Sequence, residues 1–351
     1  MRPFLTARMR VLTLAILGVA LALCLGGGPA PAQAPPPPPP VEPQAPEPPP
    51  PPDEALTSPD AEHEDDFEDP HHAPVVPETL PPVASVFGAS FMRWALLAGL
   101  LVTGVCGYVG VYVVLKRIVF VGVALAEVSS AGVALALLVG FNPFLGAVVL
   151  MFAGIGLFSV RWAPRRVARE SFIGVGWAVA SAFGVLLIAK SAQGEAHMHD
   201  LMFGNILTVD PRSVIQTAAG LAIVLLAHAL FSKEFLFVSF DAETADASGY
   251  HARSWDLLLY ATIGLSIAFS IHTVGVLLAF SALVLPPVTA LLLTRRMKAT
   301  FATSAVLGML PVPIGLYLSF ARDLPTSAVI VAVMFAMMLL GGLIGRIRKA
   351  A

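Results

Sequence analysis

Long apolar runs repeat along most of this chain and constrain its fold more than any other feature. From residue 91 onward, short polar stretches alternate with apolar runs of about 15 to 25 residues, close to the length that a helix needs to cross roughly 30 Å of hydrocarbon. Because backbone groups in lipid must be hydrogen-bonded within their own segment, runs this long are expected to be helices rather than barrel strands. The sequence therefore predicts an all-α, polytopic membrane bundle, with the tightest turn at His272. Nine spans are expected, at residues 91–115, 118–140, 144–160, 173–190, 214–231, 257–271, 273–293, 299–320 and 327–347.

Basic residues indicate which loops face the cytoplasm, where Lys and Arg are in excess. They cluster in alternate loops, whereas the opposite loops are short or poor in basic residues. Nine spans with an external N-terminal segment and a cytoplasmic C-terminus satisfy every loop, so we expect a multi-pass protein of the inner, cytoplasmic membrane. The basic clusters lie at positions 116–117, 161–169, 233–253, 295–298 and 346–349.

The first 90 residues differ in composition from the rest. Residues 1–34 contain early arginines, an apolar stretch and a small-x-small site at 32–34, the order found in export signals. An uncleaved anchor helix is the alternative. Of the 30 prolines in the chain, 21 lie between Pro29 and Pro82, and prolines favour extended polyproline geometry. We therefore expect a disordered, Pro-rich external linker over residues 35–90, since its acidic stretch cannot bury a core.

Three histidines of this linker lie among acidic residues. His63, His71 and His72 belong to a segment that also carries six carboxylates. Such a mixture of nitrogen and oxygen donors suits weak external capture of divalent metals. The alternative is a solvated acidic spacer whose histidines are incidental.

Glu127 is the carboxylate placed well inside a predicted span. It follows small residues in the second run, and a charge at that depth is costly unless it faces a cavity or a partner. Either Glu127 lines a path for a cation or it hydrogen-bonds a neighbouring helix. His228, in the fifth run, is expected to be a satisfied interhelical donor.

The loop between the fourth and fifth spans carries further candidate metal ligands. His197, His199 and Asp200 precede an apolar stretch, residues 201–207, that is too short to cross a membrane. We expect a re-entrant or interfacial element at the outer mouth, with donors for a borderline divalent metal. Two ordinary surface histidines are the alternative.

The cytoplasmic loop at residues 232–256 predicts a short helix. It has an acidic N-cap candidate, acidic residues in the first turns and a glycine C-cap candidate. A helix fixed between two spans could transmit force from a partner, and a purely structural turn is the alternative. The residues assigned to this element are Phe240, Asp241, Glu243, Ala245 and Gly249.

The sequence lacks the phosphate-binding pattern G-x-x-x-x-G-K-[ST]. It also lacks a soluble catalytic lobe. We therefore expect a chain that is not an enzyme, has no permanently bound cofactor and does not bind nucleic acid. Any ATP hydrolysis is assigned to a separate subunit.

Five collinear stretches resemble the permease subunits of the zinc and manganese ABC transporters, the ABC-3 permeases. The resemblance implies a type II ABC importer-like bundle that imports divalent metal of the zinc or manganese class, with Asn205 at the outer mouth. It also implies a homodimer, a cytoplasmic ATPase that docks on the loop helix, and an external metal-binding solute-binding protein. The matching stretches are residues 116–127, 170–174, 201–207, 240–243 and 274–278 leading to 285–290.

The second span departs from the family pattern. Where the family usually has Gly-Asp-Ala-Leu-Ala-His, this chain has Val123 in place of the Asp and Glu127 in place of the His. Carboxylate oxygen prefers harder ions such as manganese or ferrous iron, whereas imidazole suits zinc. Two alternatives stay open: a permease of the cobalamin and ferric-siderophore class, and a transport-inactive, metal-sensing relative.

Overall fold

The computed structural model describes residues 82–159, 169–190 and 206–350, and all regular structure within them is helical. The predicted all-α class is confirmed. The predicted leader and most of the predicted linker lie outside the described residues. The helices are α1 (Val83–Gly88), α2 (Ser90–Leu115), α3 (Val119–Val139), α4 (Pro143–Ser159), α5 (Arg169–Ala189), α6 (Pro211–Phe240), α7 (Ala242–Ala247), α8 (Ala252–Leu293), α9 (Met297–Met309), α10 (Pro311–Arg322) and α11 (Thr326–Ala350).

Seven helical stretches of the described residues are long and apolar enough to cross a membrane. They correspond to α2, α3, α5, α6, α8, α9 together with α10, and α11, while α4 is apolar but shorter. Each of the nine predicted runs corresponds to a helix or part of one. The difference in number arises because the sixth and seventh predicted runs share α8 and the third is the short α4.

Helix α8 folds back on itself and so contains two spans. Its 42 residues would extend about 63 Å as a straight helix, twice the thickness of the hydrocarbon core. At Gly275 the backbone has φ 81° and ψ 167°, a conformation essentially restricted to glycine. The chain therefore breaks at Gly275 rather than at His272, where the sequence predicted the turn.

Contacts with α2 establish the direction of the two halves of α8. Ser270 Oγ lies 3.5 Å from Cys106 Sγ, and a Cβ added to Gly110 would collide with the Leu283 carbonyl. A straight α8 would separate positions 270 and 283 by about 20 Å, whereas positions 106 and 110 are about 6 Å apart along α2. The halves must therefore run antiparallel, as the sixth and seventh predicted spans require.

Small residues allow the helices to pack closely, as is common in membrane bundles. Gly132 on α3 and Gly146 on α4 place their backbones against each other, so that a Cβ on either would collide with the other's carbonyl. Ser304 Oγ on α9 donates a 2.6 Å hydrogen bond to the Gly107 carbonyl on α2. Helix α2 is accordingly buried along most of its length, whereas α5 and α11 leave most of their apolar side chains exposed.

Candidate functional site

Glu127 lies partly buried on α3, where it faces α5. Its carboxylate accepts a hydrogen bond from the indole of Trp177 on α5. One turn further along α3, Ala131 lies against Gly184, also on α5. The two helices therefore run side by side in the same direction, and the charged group that the sequence identified has a hydrogen-bond partner on a neighbouring helix.

One indole donor does not exhaust the carboxylate, which has about four lone-pair sites. Among the described residues, no group of three or more His, Cys, Asp or Glu side chains could hold a metal ion. Within that part of the chain, Glu127 therefore belongs to no resident metal centre. A single, partly accessible oxygen ligand of this kind suits transient contact with a cation.

The other predicted metal ligands lie outside the described residues. These are the linker histidines His63, His71 and His72 and the outer-loop residues His197, His199, Asp200 and Asn205. The end of the predicted outer-mouth element is described: Ile206–Thr208 forms a 3₁₀ turn, and the Ile206 side chain is buried near Gly99 on α2. Near the turn of α8 at Gly275, the exposed His272 ring packs edge-on against the Phe144 ring, with ring centroids 5.5 Å apart.

His228 on α6 lies within an aromatic cluster that the sequence analysis missed. Its Nδ1 donates a 2.9 Å hydrogen bond to the Val224 carbonyl of its own helix, not to another helix as expected. Its buried Nε2 has no hydrogen-bond partner among the described residues. The rings of the cluster come from α2, α6 and α9, and they are Tyr108, Tyr112, Phe235 and Phe301. In the sequence, only their aromatic character distinguished these residues.

The predicted cytoplasmic helix is present as α7, Ala242–Ala247. Asp241 caps it: Oδ2 accepts a 2.5 Å hydrogen bond from Thr244 Oγ1, and Oδ1 accepts a 2.9 Å hydrogen bond from the Thr244 backbone N–H. These two hydrogen bonds, the side-chain one foremost, lower the pKa of the Asp241 carboxyl. Asp241 is therefore a charged cap at neutral pH, as favoured at a helix N-terminus.

The C-terminal end of α7 forms a Schellman motif. Gly249 has φ 88°, and the Tyr250 and Gly249 backbone N–H groups donate to the carbonyls of Ala245 and Asp246. The helix ends at Ala247 with Ser248 as C-cap, so the glycine expected as C-cap lies one residue beyond it. Both ends of α7 are thus fixed by local hydrogen bonds despite its length.

Helix α7 has one buried and one exposed side. Ala245 is fully buried, whereas Glu243, Thr244 and Asp246 are exposed. The exposed Asp246 also accepts a 2.8 Å hydrogen bond from the Ala252 backbone N–H at the start of α8. A short, rigid helix with a polar outer face therefore lies between α6 and α8.

Comparison with known proteins identifies the family. The family model of the ABC 3 transport family matches residues 88–345. The chain is 30% identical over 247 residues to the manganese transport system membrane protein MntC of Listeria monocytogenes, covering 70% of this chain and 87% of that protein. It is 27% identical over 274 residues to a probable iron transport system membrane protein of Haemophilus influenzae, covering 75% and 96%.

A solved structure shares the fold. The structure of PsaBC from Streptococcus pneumoniae in complex with Fab superposes with a TM-score of 0.68 and 25% identity, covering 74% of this chain and 95% of the matched chain. The family match covers the described bundle from the start of α2 to the last turns of α11. The chain therefore belongs to the ABC 3 transport family.

Proposed function

We propose that this chain is the membrane permease subunit of an ABC importer for divalent metal ions of the zinc and manganese class, with manganese as its main cargo. The observation that carries the proposal is the 30% identity over 247 residues to a relative named for manganese transport. Family membership supports the transporter role and leaves the cargo open.

The chemistry of Glu127 supports a hard or borderline ion. Carboxylate oxygen binds manganese and ferrous iron in preference to softer ions, whereas zinc favours imidazole and thiolate. The relative named for iron transport fits the same preference. Zinc remains the second candidate because the linker and the outer loop carry histidines.

Glu127 acts in this proposal as a transient ligand on the path. A divalent ion that has lost part of its hydration shell gains one charged oxygen there, which favours entry. Because no resident cluster surrounds Glu127 among the described residues, the ion is held weakly enough to leave again. Upstream, His197, His199, Asp200 and Asn205 serve in this proposal as metal ligands at the outer mouth, and His63, His71 and His72 serve as weak external ligands.

Energy comes from a separate cytoplasmic ATPase dimer that docks on α7. The short helix is capped at both ends and turns a polar face outward. It can therefore transmit force from a partner without unfolding. An external solute-binding protein delivers the metal, and two copies of this chain form the permease. The basic residues between α2 and α3, between α8 and α9 and at the end of α11 support an orientation with a cytoplasmic C-terminus.

Metal uptake tests the proposal directly. A strain deleted for this chain is compared with the same strain after re-supply, and cell-associated manganese, iron and zinc are measured at limiting external metal. We expect re-supply to restore manganese uptake. Restored uptake of cobalamin or a ferric siderophore without a change in divalent metals would contradict the proposal, and so would a strain whose metal contents do not depend on this chain.

A further inference from the structure

Lys116 makes contacts that its position in a basic loop does not predict. It is the C-cap residue of α2, and its Nζ lies 2.5 Å from Asp256 Oδ1 in the first turns of α8. The same Nζ donates a 3.2 Å hydrogen bond to the Val238 carbonyl in the last turn of α6. One ammonium group therefore joins the ends of three helices.

The two groups that Lys116 contacts flank α7 in the sequence. Val238 lies just before Asp241, the cap of α7, and Asp256 follows Ala252, whose backbone N–H is bound by Asp246 of α7. Lys116 thus fixes the segment that enters α7 and the segment that leaves it. Its other end belongs to α2, the most buried of the seven candidate spans among the described residues.

Burial and charge indicate that the Lys116–Asp256 pair is part of the folded core of this region and not an incidental surface pair. The Lys116 side chain is only 9% exposed and that of Asp256 28%, whereas Arg117, next to Lys116, is exposed. The Val238 carbonyl is among the last four of α6, which lack intrahelical donors and carry the negative end of the helix dipole. A cation is stabilised there, and the Asp256 carboxylate neutralises it.

We propose that Lys116 is a positioning residue that holds both ends of the α7 loop, residues 238–256, on α2. Movement of α7 then reaches the bundle as a rigid-body displacement. The holding role follows from the contacts themselves, and the transmission of movement rests on the proposed function. Without Lys116, α7 keeps its own caps but can shift relative to α2. A partner bound to α7 would then hydrolyse ATP with less effect on the metal path.

Lys116→Met tests the holding role, because methionine keeps the length and the apolar stem while removing the charge and the donor. Lys233→Met is the matched control, since it removes the same group from an exposed position of α6. Amide hydrogen exchange of residues 238–256 is measured in the purified chain. We expect faster exchange in this segment for Lys116→Met and wild-type exchange for Lys233→Met.

The transmission role is measured as metal moved per ATP hydrolysed by the complete transporter in vesicles, using manganese. We expect this ratio to fall in Lys116→Met, because ATP that is hydrolysed while α7 shifts relative to α2 moves less metal. Lys116→Arg should retain most of the ratio. If Lys116→Met does not fold, Asp256→Asn removes the same charge pair with a smaller change, and both measurements are made on it.

The outcomes separate this inference from the proposed function. Unchanged exchange in residues 238–256 would overturn the inference whatever the cargo is. Faster exchange with an unchanged ratio would reduce Lys116 to a stabilising residue and overturn the transmission role. A wild-type transporter that moves no manganese would refute the proposed main cargo, while the exchange data would still decide whether Lys116 holds the loop.

Discussion

At the scale of single residues, Glu127 shows what the sequence could and could not predict. A carboxylate in an apolar run had to have a partner or a cavity, since a lipid-facing charge there is costly. Its partner, Trp177, is 50 positions away and could not be identified, because the pairing depends on α3 and α5 lying side by side. His228 was likewise visible as a buried polar residue, but three of the four rings around it come from α2 and α9.

Glu127→Gln separates a role on the path from a role in packing. Glutamine keeps the size and an oxygen that can accept from the Trp177 indole, while it removes the charge that attracts a cation. We expect an assembled complex with at least about tenfold slower manganese uptake, as loss of a charged ligand implies. Glu127→His should recover part of the transport, since imidazole is also a metal ligand.

Trp177→Phe is the control for this prediction, because it removes the indole donor and keeps an aromatic ring. We expect manganese uptake close to wild type. If Trp177→Phe reduced uptake while Glu127→Gln left it unchanged, the hydrogen bond rather than the charge would account for Glu127. Wild-type uptake by Glu127→Gln would exclude the path role.

At the scale of elements, α7 followed from the sequence because its determinants are local. Asp241 and Gly249 have the side chain and the backbone freedom that the two caps require. The turn of α8 was misplaced by contrast, since the run from 257 to 293 is apolar throughout and His272 was its most polar position. The turn lies at Gly275, where a positive φ is needed.

Proline substitutions within α7 test its role as the docking element. The Ala245 backbone N–H donates to the Asp241 carbonyl, so Ala245→Pro removes an intrahelical hydrogen bond and its ring clashes with the preceding turn. We expect loss of metal-stimulated ATP hydrolysis in the purified complex. Glu243→Pro lies in the first turn, where proline is tolerated, and should have the smaller effect.

The Asp241 cap of α7 depends on pH because its carboxyl group is ionisable. The pKa of Asp241 is lowered from 3.8, so the charged cap is fully present at and above about pH 5 and is lost only as pH falls through the lowered value. Because Asn also caps helices and Ala does not, Asp241→Asn should retain ATPase coupling and Asp241→Ala should weaken it.

Undiminished metal-stimulated hydrolysis in Ala245→Pro would refute docking on α7.

Gly275→Ala tests the turn of α8. An L-residue is strained at φ 81° and ψ 167°, and we expect a loss of about 1–3 kcal/mol in the free energy of unfolding. Gly156→Ala is the control, because it lies within α4 with nothing near its Cβ position and should be neutral or slightly stabilising. Thermal unfolding of the purified chain measures both. Equal melting temperatures would show that the turn does not depend on glycine.

At the scale of the whole molecule, the length and order of the apolar runs sufficed to predict the helices of the bundle and their order along the chain. Helix length is set by the bilayer, and short loops leave little freedom in the order of spans. Contacts between distant helices did not follow from these rules. The Lys116–Asp256 pair joins positions 140 residues apart, and the basic-loop rule accounts for Lys116 by its side of the membrane alone.

The linker is expected to work as a part of the transporter that captures metal ions. Residues 35–82 combine many prolines with acidic residues and three histidines, and weak donors tethered near a pore raise the local concentration of the ion that they bind. Deleting residues 35–82 should therefore reduce manganese uptake at limiting metal and leave the maximal rate unchanged. The variant with His63, His71 and His72 changed to Gln keeps the length and the acidic charge, so it should show the part of this loss that depends on imidazole. Uptake is measured across a range of manganese concentrations in cells with equal amounts of each variant in the membrane. Because weak sites are bypassed when the ion is abundant, a loss that persisted at saturating manganese would contradict local capture and assign the linker to assembly or to docking of the delivering protein.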